Sequence, residues 1–156
     1  MNPIVRSAAL ALPLLVCTIA MAQMPGRHPH YIHALSDLRA AQWQIDHRRP
    51  EDGAMREDEL TASDEVAAAI HSATAAASAD AKDLGWNPPP DAPNAYDGRL
   101  HAALDLLHAA HNDLALPEDD PAAVNQQRLA VLRVDAAIHA TERALNIARR
   151  IDDSRQ

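Results

Sequence analysis

Apolar residues recur every three or four positions in four separate stretches of this chain, and each stretch has its own start or stop signals. In the first, Tyr31, Leu35, Leu38, Gln42 and Ile45 follow a 4-3-4-3 spacing, one stripe of a helix predicted from about Pro29 to His47. Pro29 suits a first helical position, where its missing N–H costs nothing. Pro50 and Gly53 break the pattern. In the second stretch Val66, Ile70, Ala73, Ala77, Ala81 and Leu84 share a stripe. Thr61-x-x-Asp64 resembles a capping box at its start, and Gly85 supplies a left-handed stop with Trp86 folding back on the last turn. The third helix is predicted from about Tyr96 to Leu116, with Leu100, Leu104, Leu107, His111 and Leu114 on its stripe and Pro117 ending it. Asp120 caps and Pro121 opens the fourth, which runs to about Arg150 with Val131, Val134, Ile138, Leu145 and Ala148 inward. Asp119 and Asp120 at its start and Arg149 and Arg150 near its end both suit the helix dipole.

Four such helices, with connections of about 13, 11 and 4 residues, predict an all-α fold, an antiparallel up-down-up-down four-helix bundle. The abundant alanines imply close helix approach, and Pro88-Pro89-Pro90 with Pro93 make the second connection stiff and extended. No unit repeats at a fixed period, which argues against a solenoid. Leu35, Leu38, Ile70, Leu104, Leu107 and Ile138 are the predicted shared core.

Residues 1–22 change the setting. Arg6 gives a positive start, Ala8 to Ala22 is an almost unbroken apolar run, and Ala20-Met21-Ala22 before Gln23 fits a small-x-small cleavage site. The run is short of the roughly 20 residues that span a bilayer, so it reads as a removable export signal. Residues 23–156 then form one bundle domain, expected in the periplasm or outside the cell. The one cysteine, Cys17, falls inside the signal. Val16 before it, where a small residue is expected, disfavours a lipid anchor at Cys17. The mature chain therefore has no disulfide framework and rests on its core. Without Arg6, 13 basic residues face 22 acidic ones, a net charge of −9. That balance argues against nucleic acid and against anionic membrane surfaces as partners. It leaves a metal ion, an envelope protein or a second copy of the chain.

Histidine is the unusual ingredient, with nine in all. His28-x-His30-x-x-His33 opens the first helix, and imidazoles one turn apart can share a zinc, copper or nickel ion. In an up-down-up-down bundle, counting residues from the connections at about 1.5 Å each brings His33, His101 and His139 to one height. The expected metal set is therefore His28, His30, His33, His101 and His139. By the same count His71, His108 and His111 make a second tier. A plainer reading stands beside this one. His101, Asp105, His108 and Asn112 form a polar flank, as do His33, Asp37, Gln44 and His47, and Asp135, His139 and Glu142. His111 alone sits on a core stripe.

No Glu-x-x-His pair for a di-iron site, Cys-x-x-Cys-His for haem, Gly-rich phosphate loop, Gly-x-Ser-x-Gly elbow or His-Glu-x-x-His occurs. A binding protein is expected rather than an enzyme. The run His28-Pro29-His30-Tyr31-Ile32-His33-Ala34-Leu35-Ser36-Asp37-Leu38-Arg39 resembles the opening of a group of secreted bacterial helical proteins, H-P-x-Y-x-H-A-L-x-D-L-R. The resemblance extends loosely to Ala136 through Ala144. It implies a secreted helical bundle and assigns no activity. The chain is also similar in style to small histidine-rich periplasmic metal-binding bundles, without their seven-residue histidine repeat. Two functional readings follow: a periplasmic bundle binding a transition metal weakly through histidines, or an envelope stress, chaperone-like or pH-responsive interaction protein without metal.

Overall fold

The computed structural model describes residues 30–47, 55–79, 84 and 98–154. Over them the chain forms four helices, α1 (His30–Asp46), α2 (Glu57–Ala79), α3 (Arg99–Leu114) and α4 (Val124–Asp153), and no strand. The export signal with Cys17, the Gly85 stop with Trp86 and the proline run lie outside the described residues.

The helix starts follow from local chemistry. Glu57, Asp58 and Glu59 occupy the first turn of α2, where carboxylates meet the positive end of the helix dipole. Glu59 Oε2 accepts from the Arg56 N–H at 3.1 Å, the backward-reaching half of a capping box. The expected box at Thr61 and Asp64 is replaced by this one. Thr61 lies inside the helix and donates its hydroxyl to the Glu57 carbonyl at 2.9 Å. Asp120 acts as expected before α4: its carboxylate accepts from the Ala122 N–H at 2.8 Å, and its carbonyl accepts from Ala123 and Val124, both at 3.0 Å. Gly98, at φ +142, turns the chain into α3 in a conformation that other residues adopt only with strain.

The bundle's directions depart from the expected order. Arg99 at the start of α3 donates to the Ile45 carbonyl at the end of α1, at 2.9 Å, and pairs with Glu59 at the start of α2. At the other end the Tyr31 hydroxyl, in the first turn of α1, donates to Glu118 beyond α3. Arg143–Asp58 (2.8 Å) and Arg133–Glu65 (3.0 Å) set α4 against α2 head to tail. Hence α2 and α3 run the same way and α1 and α4 the other, an up-down-down-up order in which every packed neighbour is antiparallel. The pairings are α1 with α2 and α3, and α4 with α2 and α3. The physical reason is chain length. The 19 residues between Ala79 and Arg99 can reach about 60 Å, more than the roughly 35 Å length of α2, so the chain is not confined to a hairpin there.

The core is aliphatic and alanine-rich. Tyr31, Leu35, Leu38, Ile45, Val66, Leu107, Leu114 and Val134 are its largest fully buried apolar side chains. Ile138 joins the same cluster, while Ile70 and Leu104 pack against it half-buried. Ala62, Ala69, Ala73, Ala76 and Ala77 on α2 and Ala130, Ala137 and Ala140 on α4 are fully buried, and α2 and α4 form the most extensive pairing. Small side chains let backbones approach closely, trading core thickness for contact length. Among the described residues no helix is long and apolar enough to cross a membrane.

Candidate functional site

Polar chemistry concentrates in two places. The first is the start of α1, where every residue from His30 to Leu38 except the half-buried His33 is buried. Three of these are polar or ionisable without being amphipathic fillers: His30, Ser36 and Asp37, the last with no exposure at all. The rings of His30 and Tyr31 stand 4.4 Å apart, centroid to centroid. Tyr31 in turn anchors Glu118, whose other oxygen accepts from the Asp120 N–H at 2.8 Å. One carboxylate thereby joins the first turn of α1 to the cap of α4. Burying polar groups costs free energy unless neighbours satisfy them, and the Tyr31–Glu118–Asp120 contacts supply part of that compensation here.

The second place is the seam between α3 and α4. His111 Nε2 lies 3.3 Å from Asp135 Oδ1 across the seam. Ten residues nearer the foot of α3, the Arg149 guanidinium meets His101 Nε2 at 3.0 Å. An arginine has only donors, so this contact requires His101 to accept and therefore to be neutral at Nε2. On α4 itself His139 Nδ1 lies 3.3 Å from Glu142 one turn on. Two imidazoles thus face carboxylates and one faces a cation.

The expected metal set is dispersed. His28 lies outside the described residues. His30 is buried and His33 half-buried at one end of the bundle, whereas His101 lies two residues from Arg99 at the other. His33 and Ile45, the level of Arg99, are twelve residues apart on α1, about 18 Å along its axis. His139 projects from α4 with 71% of its side chain exposed. His33 leaves the common height because the count placed the first and third connections at one end, and the up-down-down-up order puts them at opposite ends. His71 and His108, expected in the second tier, are both exposed. Among the described residues no group of three or more His, Cys, Asp or Glu stands where it could hold a metal ion.

Sequence reasoning missed the burial of Asp37 and the reach of Glu118. The periodicity of α1 put Asp37 on a polar flank, and the pattern of a single helix cannot reveal which of its flanks is buried in the fold. The Asp135 contact was closer to legible, since α3 and α4 are antiparallel neighbours in either helix order. His111, expected on the α3 core stripe, instead stands at the edge of the seam with 33% of its side chain exposed, where Asp135 meets it. No family model, curated protein or solved structure matches the chain.

Proposed function

We propose that this chain is an exported helical-bundle interaction protein whose α3–α4 seam responds to acid, working without a metal. The observation that carries the reading is the pair of opposed imidazole contacts on one seam, His111 with Asp135 and His101 with Arg149. Histidine is the side chain whose charge ordinarily changes between about pH 5 and 8. A protonated His111 gains attraction to Asp135. A protonated His101 loses its acceptor nitrogen and repels Arg149. Acid therefore tightens the seam near the end of α3 and loosens it near the start, where the last turns of α4 lie. Each contact is partly exposed and contributes about 1 kcal/mol at most, so the response is a local opening of the foot of α4. The nine histidines against an acidic chain add a second effect, since protonation lowers net charge and with it the repulsion from other acidic molecules.

Hydrogen exchange of the protein at about pH 5 and about pH 7.5, corrected for intrinsic rates, tests this. The expected result is lost protection at low pH in residues 146–153 and 99–103, with residues 108–114 unchanged or better protected. His101→Gln removes the differential. Equal corrected protection at both pH values overturns the reading.

A further inference from the structure

The outer face of α4 near its start, with the turn before it, carries exposed apolar side chains. Leu132 is 64% exposed, Leu129 40% and Leu116, just before the α4 cap, 47%. Beside them runs an open groove of about 430 Å³ lined by Leu114, Ala115, Gln127, Arg128, Val131 and Leu132. Its floor is apolar, and its wall is braced by Gln127, which donates to the Leu116 carbonyl at 2.6 Å. An acidic chain with so few large side chains to spend on a core has no packing reason to leave Leu129 and Leu132 in water on one face of α4.

The charges flanking this patch say what covers it. Arg128 is exposed and has no carboxylate partner among the described residues. Asp135 lies seven residues later on the same stripe, two helical turns away, and among the described residues only one of its carboxylate oxygens is taken, by His111. An exposed positive charge and a half-used negative charge sit symmetrically about Val131 and Leu132. An antiparallel copy of α4 laid across this stripe brings each Arg128 opposite the other chain's Asp135. The same placement sets each Leu132 over the groove beside the other chain's Val131. The surface is complementary to itself under a two-fold axis, the condition for a closed isologous dimer.

We propose that the chain forms a two-fold homodimer through the first half of α4, with Leu132 seated reciprocally and Arg128 paired across the axis with Asp135. The proposal holds at neutral pH and does not depend on the acid response of the seam.

Sedimentation equilibrium of the processed protein at pH 7.5, over a concentration series, is the test. The expected wild-type result is a mass rising to twice that of one chain. Leu132→Glu, on a side chain already in water, abolishes the rise while the helical circular dichroism is kept. Arg128→Asp also abolishes it, by setting like charges opposite one another, and Arg128→Asp combined with Asp135→Arg restores it. A single-chain mass at every concentration overturns the proposal. So does a dimer that survives both Leu132→Glu and Arg128→Asp, and so does a charge exchange that fails to restore association.

Discussion

The guanidinium of Arg99 donates to the backbone carbonyl of Ile45 at 2.9 Å, although the two residues are 54 positions apart. The carbonyls at the end of a helix have no partner within it, so the start of α3 satisfies the end of α1. The same side chain pairs with Glu59, which is 5% exposed and also holds the Arg56 N–H at the start of α2. Three helix ends converge on one arginine, and that convergence fixes the parallel course of α2 and α3.

Arg99→Ala leaves Glu59 buried beside a lost cation and is expected to cost about 3 to 5 kcal/mol, read from urea unfolding. Replacing Arg99 and Glu59 together by Met removes the stranded charge and should cost less than Arg99→Ala alone. A double variant as unstable as the sum of Arg99→Met and Glu59→Met would show that the pair is not acting as a unit.

Leu107 has no exposure and lies in the central cluster, whereas Leu60 on α2 is half in water. Leu107→Ala is expected to destabilise by about 2 to 5 kcal/mol. Leu60→Ala should stay within about 0.5 kcal/mol of wild type. Comparing the two by urea unfolding checks that the bundle's inside and outside are assigned correctly.

Helix existence and inward faces were legible in the sequence because period and burial are local properties of one segment. Leu35, Leu38, Leu107 and Ile138 lie where their stripes put them. The start of α2 was less legible. A run of three acids looks like loop, yet at a helix N-terminus those charges are stabilised by the dipole, so the helix begins at Glu57 rather than Thr61. Helix direction was not legible at all. It depends on whether the segment after Ala79 turns back or crosses, and a chain long enough for either leaves the choice to contacts such as Arg99–Ile45. The height shared by His33, His101 and His139 inherited that choice, so one topological step set His33 about 18 Å along the axis from the level of Arg99, beside His101.

Ala73 is fully buried on α2, in a bundle whose most extensive pairing is lined with alanine on both sides. Ala73→Leu adds three carbons where neighbouring backbones leave no room, and overpacking of this kind costs about 1 to 3 kcal/mol. Ala67→Leu, on the exposed side of the same helix, has equal chemistry without the crowding and should be neutral or destabilise by only a few tenths of a kcal/mol, since alanine is the best helix former. Thermal melts of the two variants distinguish crowding from propensity, and equal melting temperatures would mean that the α2 face is not closely packed.

Zinc titration checks the dispersal of the histidines and the helix order behind it together. A single ion holds its imidazole nitrogens at about 2.0 to 2.1 Å, so two ligands of one site lie within a few ångströms of each other. His33 and His101 belong to opposite ends of the bundle, His33 in the turns of α1 nearest Glu118 and His101 beside the last turns of α4. No one ion spans them without unfolding the chain. His33→Ala and His101→Ala are therefore expected to change zinc binding independently, and the double variant should lose the sum of the two effects, as distant sites do. Calorimetry on the four proteins of this cycle reads the result directly. A one-to-one site abolished by either substitution alone would require both imidazoles on one ion. That outcome is incompatible with α2 and α3 running the same way, and it would restore the up-down-up-down order along with the metal reading built on it.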